Sequence, residues 1–153
     1  MNKEQSVEFA QTYVADLLTF FGVNTDVSVT VEDDVIEISI PPTDASSILI
    51  GRGAETLRSL QYLVSTVLRN KEAALTRVNL DVADYKKQRA ERLAAQTREW
   101  IEEVRTTGNS HVENLNAADR RIVHQTAMEY SDIRTFSEGE GRDRRITIVQ
   151  ASS

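Results

Sequence analysis

Two places in this 153-residue sequence bring together groups suited to holding phosphate. In the run Ile48 to Val64, ILIGRGAETLRSLQYLV, two apolar helical patterns meet at Gly51-Arg52-Gly53-Ala54. Glycine lets backbone N–H groups approach a phosphate chain, and the helix after it aims the partial positive charge of its N-terminus at the same point. Arg52 in the turn and Arg58 in that helix add cationic donors. The second place is Arg120 with His124. Four residues apart on a helix, a guanidinium and an imidazole lie on one face and can present donors to one phosphate. Arg121 stands beside them, and Arg142, Arg144 and Arg145 form a basic strip further on. A nucleic-acid backbone is the ligand that the glycine turn suits best, whereas the Arg120/His124 spacing by itself selects no ligand.

Other chemistry has little to work with. The chain has two histidines and no cysteine, and it shows no Asp/Glu/His cluster at ligand spacing, so neither a bound metal nor another cofactor is expected. Ser137 with His124 is the one conceivable nucleophile and base, and no orienting acid or nucleophile elbow accompanies it. No catalytic residue is assigned, and the protein is not expected to be an enzyme. No apolar run approaches the ~18 residues of a membrane span, and no basic-then-apolar leader opens the chain. Membrane insertion is not expected, and the expected location is the cytoplasm.

Charge restricts where a polyanion can sit. The formal net charge is −6. Residues 1–83 hold 6 Lys+Arg against 12 Asp+Glu, whereas residues 84–153 hold 12 of each. Any polyanion site must therefore be a local patch, with the acidic run Glu32 to Glu37 facing elsewhere.

The elements that must position these residues follow from hydrophobic period. Val7, Ala10, Val14, Leu17, Leu18 and Phe21 recur at helical spacing behind an Asn2/Gln5 capping pair. Val27, Val29 and Val31, then Ile36, Ile38 and Ile40, alternate around Asp33-Asp34 as a hairpin with one buried face, which Pro41-Pro42 ends. A short helix over about 44–50 precedes the glycine turn. The next helix runs to about Asn70 with Leu57, Leu60, Leu63, Val64, Val67 and Leu68 on its apolar side, and Val78, Leu80 and Val82 make a third strand. Beyond Tyr85 a long helix extends to Gly108, with Ala90, Leu93, Ala94, Thr97, Trp100, Ile101 and Val104 on one face. A short strand over 111–115 and a helix from Ala117 to about Tyr130 come next. Ile133, Thr135 and Ser137 then pair with Ile146 and Ile148 as a closing hairpin.

The order α-β-β-α-α-β over the first 83 residues is that of bacterial-type KH domains, whose Gly-x-x-Gly loop clamps single-stranded RNA. Leu49, Ile50, Gly51, Thr56, Leu57, Leu60, Gln61, Tyr62, Leu63 and Val64 resemble the KH signature of the Jag family, the SpoIIIJ-associated, KhpB-like proteins. In the second half, DRRIVHQ (119–125), RTFSEGEGRDRRITI (134–148), and Val104, Thr107 and Gly108 resemble the R-three-H domain, a small single-stranded nucleic-acid-binding module. A KH domain followed directly by that module is the Jag arrangement.

The resemblance implies an α+β chain: a KH domain over residues 1–83, then a small α+β R-three-H domain over 84–150 entered by the long helix. It implies binding of single-stranded RNA, or alternatively single-stranded DNA, through Gly51, Arg52, Gly53, Ala54 and Arg58 in the first domain. In the second, Arg120, Arg121, His124, Arg142, Arg144 and Arg145 would make the contacts. The implied role is post-transcriptional regulation or RNA chaperoning linked to cell elongation and division. A small stand-alone KH protein, or self-association, is the implied partner. No amino-terminal Jag domain and linker precede the KH pattern, so membrane-proximal recruitment is not expected. One departure supports another outcome: Ala54 stands where the second loop glycine belongs, and a Cβ there costs about 1 kcal/mol in a left-handed turn and can obstruct phosphate. The alternative is thus a protein-interaction scaffold with a decayed clamp. The turn is otherwise expected to accept Gly51→Asp or Arg52→Glu without loss of fold, and Arg120 and His124 to stand on an exposed helix face.

Overall fold

A computed structural model describes residues 1–151 and divides the chain into two compact units, one from Met1 to Lys86 and one beginning at Lys87. In the first, α1 (Lys3–Thr19), β1 (Ser28–Glu32), β2 (Val35–Ile40), α2 (Ser46–Ile50), α3 (Glu55–Asn70) and β3 (Arg77–Val82) occur in the expected order. The Asn2/Gln5 capping box is made in both directions: Gln5 N–H donates to Asn2 Oδ1 at 2.8 Å and Asn2 N–H to Gln5 Oε1 at 3.0 Å. Asp33 and Asp34 both take positive φ, 51° and 61°, which a two-residue hairpin needs to match strand twist.

Strand β2 is central, antiparallel to β1 and parallel to β3, with Ile36, Ile38 and Ile40 opposite Val78, Leu80 and Val82. All six are buried, and they meet Ala10, Val14 and Leu18 of α1 and Leu57, Val64 and Leu68 of α3. Parallel strands cannot be joined by a tight turn, so the chain must cross over between β2 and β3. That crossover is α2 and α3, and the glycine turn is the corner between them. Two expected core positions lie outside: Val31 is on the edge strand β1, and Leu63 falls on the solvent side of α3 beside exposed Tyr62. Buried apolar area, not apolar count, sets the helix face.

In the second unit, α4 (Tyr85–Thr107), β4 (His111–Asn114), α5 (Ala117–Ala127), β5 (Ile133–Glu138) and β6 (Arg145–Gln150) succeed one another as expected. The helix α5 stops three residues short of Tyr130. The sheet order β4-β6-β5 makes β6 the central strand, and β5 pairs with it as the expected hairpin, Thr135 opposite Ile148 and Ser137 opposite Ile146. Ile146 and Ile148 pack with Leu93, Ile101, Val104, Val123, Ala127 and Ile133 in a second core. Trp100 flanks it, stacked on His111 at 4.7 Å between ring centroids, so His111 is a packing residue. Lys86, in the basic start of α4, is not a free cation: its Nζ donates to Gln61 Oε1 at 2.7 Å and to Asn79 Oδ1, and burial lowers its pKa against the pull of Asp81 and Glu37.

Ion pairs on the second unit hold α4 to the segment after α5. Arg98 makes two hydrogen bonds to Glu129, at 3.0 and 3.2 Å, and Arg105 two to Asp132, at 2.6 and 2.9 Å. Hydrogen bonding from the guanidinium holds each carboxyl below its ordinary range, against a smaller opposing desolvation. A depressed folded pKa contributes stability that is present above the unfolded value and lost as pH falls through the folded one. Acidification from about pH 5 to about pH 3 should therefore destabilise the second unit, and the fall should be shallower in Arg98→Gln/Arg105→Gln. Urea melts monitored by Trp100, the single tryptophan, measure this. Equal acid slopes in parent and variant would mean that these pairs do not set the acid limb.

Candidate nucleic-acid interface

The glycine turn is built from three residues in left-handed backbone. Gly51 (φ 75°) ends α2, a single 3₁₀ turn spans Arg52–Ala54, and Gly53 (φ 58°) and Ala54 (φ 60°) precede α3. Arg58 Nη1 donates to the Gly53 carbonyl at 2.6 Å, so this arginine braces the turn from the first turns of α3. Arg52 and Gly53 are exposed; Ala54 is buried at 8% and belongs to the core with Leu49 and Leu57. The methyl of Ala54 thus points into the protein and does not obstruct approach to the turn from solvent. Its burial offsets the ~1 kcal/mol left-handed cost. Gly53 and Ala54 both adopt the left-handed conformation.

Gly51 departs from expectation. A Cβ there would lie 2.4 Å from Thr56 Oγ1 and 2.9 Å from Thr56 N, whereas a Cβ on Gly53 meets nothing within 4 Å. Gly51 is required by packing and cannot take a charged side chain without disturbing α3; Gly53 can. Next to the turn, Ile48 of α2 is 62% exposed while its neighbour Leu49 is fully buried, leaving an apolar side chain at the mouth of the turn. Glu55, the first residue of α3, is the carboxylate nearest in sequence.

In the second unit an open groove of about 430 Å³ gathers Arg120, Arg121 and His124 of α5 with Arg144, at the entry to β6. Thr135, Phe136 and Ser137 of β5 form the opposite wall. Four of the nine lining residues carry basic side chains and none is acidic, in a half of the chain where acids and bases are equal in number. The helix is started by Asn116, whose side chain accepts from Asp119 N–H at 2.9 Å, and Asp119 pairs with Arg89 at 3.0 Å on α4. That pair keeps the helix's first carboxylate out of the groove.

Arg120 and His124 are not simply exposed. Arg120 Nη1 donates to the Leu115 carbonyl, tying α5 to the end of β4, and His124 Nδ1 lies 2.6 Å from Thr135 Oγ1. Each keeps its remaining ring or guanidinium nitrogens for the groove. Thr135 was not singled out from sequence as a partner, though its place on the inward-facing alternation with Ile133 was the available signal. The basic strip divides. Strand period two sends Arg144 and Ile146 to the groove side and Arg145 to the other face, 3.8 Å from Glu138. Arg142 stands in the 3₁₀ turn Gly141–Asp143, outside the groove lining.

A family model for the R-three-H domain matches residues 90–150. The chain is 30% identical to RNA-binding protein KhpB of Clostridium symbiosum over 148 residues, 95% of this chain and 67% of that protein. It is 26% identical to RNA-binding protein KhpB of Bacillus subtilis (strain 168) over 151 residues, 97% of this chain and 72% of that one. With the protein of the same name from Streptococcus pneumoniae serotype 2 it shares 26% identity over 144 residues, 92% of this chain and 42% of the other.

The two glycines of the turn differ in a measurable way. Gly53→Ala should cost about 1 kcal/mol, the left-handed penalty alone, while Gly51→Ala adds a collision with Thr56 and should cost about 2–4 kcal/mol. Thermal or urea unfolding of both variants gives the comparison, and equal losses would show that α3 yields around residue 51.

Proposed function

Because this chain belongs to the KhpB, or Jag, family of RNA-binding proteins, we propose that it binds single-stranded RNA and acts without catalysis as a post-transcriptional regulator or RNA chaperone. The observation that carries this reading is the acid-free groove of Arg120, Arg121, His124 and Arg144. Four cationic or imidazole donors on two elements suit a run of phosphates better than one small anion. In the first unit, read as a KH domain over residues 1–83, Arg52 and the α3 N-terminus would take phosphate and Ile48 would meet a base. The second, over 84–150, would track the backbone as an R-three-H domain.

Single-stranded DNA is the secondary ligand. The KH side of the chain is also where a small stand-alone KH protein or a second copy would associate, and a cytoplasmic role in cell elongation and division follows the resemblance. Among the described residues no helix is long and apolar enough to cross a membrane. The scaffold alternative keeps the left-handed backbone of Ala54 in its favour but loses its steric argument, because the Ala54 side chain lies in the core.

With four to six phosphates contacted, the slope of log K against log salt for a single-stranded RNA pool should lie between about −3 and −4. Arg52→Glu, Gly53→Asp and Arg121→Glu should each weaken binding several-fold while circular dichroism stays unchanged, and duplex DNA should bind much less. A flat salt response, or no binding at about 50 mM salt, would sink the RNA reading.

A further inference from the structure

The second sheet has a face that the groove does not use. Its inner face is covered: Ile146 and Ile148 are buried, and His111 stacks on Trp100 of α4. Alternation then puts Val112, Thr147 and Phe136 on the outer face, and the strand register places them in one row across β4, β6 and β5. None of the three belongs to the unit's hydrophobic core. Thr147 is nevertheless only 5% exposed between its register partners Val112 and Phe136, which stand 49% and 48% exposed, and its hydroxyl donates to Glu138 Oε1 at 3.4 Å. Arg134 and Arg145 occupy the rows on either side. Arg145 has Glu138 at 3.8 Å, whereas Arg134 has no carboxylate within ion-pair distance among the described residues.

Phe136 is where this face meets the groove. Strand β5 is an edge of the sheet, and three consecutive residues of it, Thr135, Phe136 and Ser137, line the groove, which therefore runs along that free edge. We infer that Phe136 is a stacking platform for a nucleobase of single-stranded RNA whose phosphates lie in the groove, with Arg134 taking a flanking phosphate on the outer face. This rests on the reading that the second unit binds RNA. Continuity with a basic groove, together with Arg134 in the neighbouring row and Glu138 already engaged by Arg145 and Thr147, favours RNA as the occupant. The apolar row, one phenylalanine and one valine either side of a threonine, is small for a stable protein interface. Stacking accepts any base, so the site adds affinity for nucleotides over other polyanions without strong sequence preference.

The test uses the full chain with two ligands, a short fluorescein-labelled oligouridine and inorganic polyphosphate. Phe136→Leu keeps an apolar side chain beside Thr147 but removes the ring; it should weaken oligouridine binding about 5- to 50-fold, leave the salt slope unchanged and leave polyphosphate binding within about two-fold. Phe136→Trp should restore or exceed parental affinity. In the parent, 5-iodouridine placed in the oligomer should photocrosslink to the peptide containing Phe136, a readout independent of whether any variant folds. Oligouridine affinity within about two-fold of parent in Phe136→Leu, equal losses for both ligands, or crosslinks that avoid β5 would each overturn the proposal. So would loss of self-association in Phe136→Leu, by light scattering, with RNA binding intact, since the face would then join copies of this chain. Arg121→Glu separates the two readings. Loss of both ligands there, with Phe136→Leu silent, removes the stacking site and keeps the groove, whereas a silent Arg121→Glu removes the groove.

Discussion

In a chain whose carboxylates outnumber its lysines and arginines by 24 to 18, a polyanion can settle only where carboxylates are held out of reach. The second unit meets that constraint by pairing. Arg89 holds Asp119, Arg98 holds Glu129, and Arg105 holds Glu102 and Asp132 while lying over the Tyr130 ring at 4.8 Å. All of these arginines come from α4, so one helix neutralises the acids of α5 and the segment after it. What is left on the groove side is Arg120, Arg121, His124 and Arg144 with no acid among them. Exposed ion pairs of this kind contribute little stability each; their larger effect here is to sort charge between two sides of a small domain.

The first unit has no such surplus of cations and relies on the backbone. Its parallel β2–β3 pair forces a helical crossover, and the corner of that crossover carries the left-handed turn at Gly51, Gly53 and Ala54. The corner is held rigidly: Gly51 has no room for a side chain, Ala54 is anchored in the core, and Arg58 bonds the Gly53 carbonyl. Within the turn itself, Arg52 and Gly53 are the exposed residues, with Gly51 half-buried and Ala54 buried. A rigid turn at a helix N-terminus loses little entropy on meeting a ligand, which suits a shallow site with few charges.

The two units thus suit phosphate by different means, oriented amides in one and side-chain cations in the other. Each also carries an exposed apolar residue, Ile48 three residues before Gly51 and Phe136 along the groove. The half-buried Lys86, spent on Gln61 and Asn79, belongs to neither site despite its place in a basic run.

Local order was legible in the sequence because it depends on neighbours two to four residues apart. The Asn2/Gln5 box, the Asp33-Asp34 hairpin, the strands of isoleucine and valine and the pairing of Thr135 with Ile148 all follow from period and capping. The KH-like order and the Arg120/His124 spacing were legible for the same reason. Tertiary contact decided what each site residue does. Ala54 is a core residue because α3 buries it, Gly51 is indispensable because Thr56 lies against it, and Arg120 is half committed to Leu115. His124 meets Thr135 eleven residues away, and Asp119 meets Arg89 thirty residues away. Of three neighbouring arginines only Arg144 enters the groove, since the sheet's pleat and a turn send Arg145 and Arg142 elsewhere. Spacing along the chain states which groups can share a face of one element; which faces then meet depends on how distant elements pack, and that is set by the burial of the whole core.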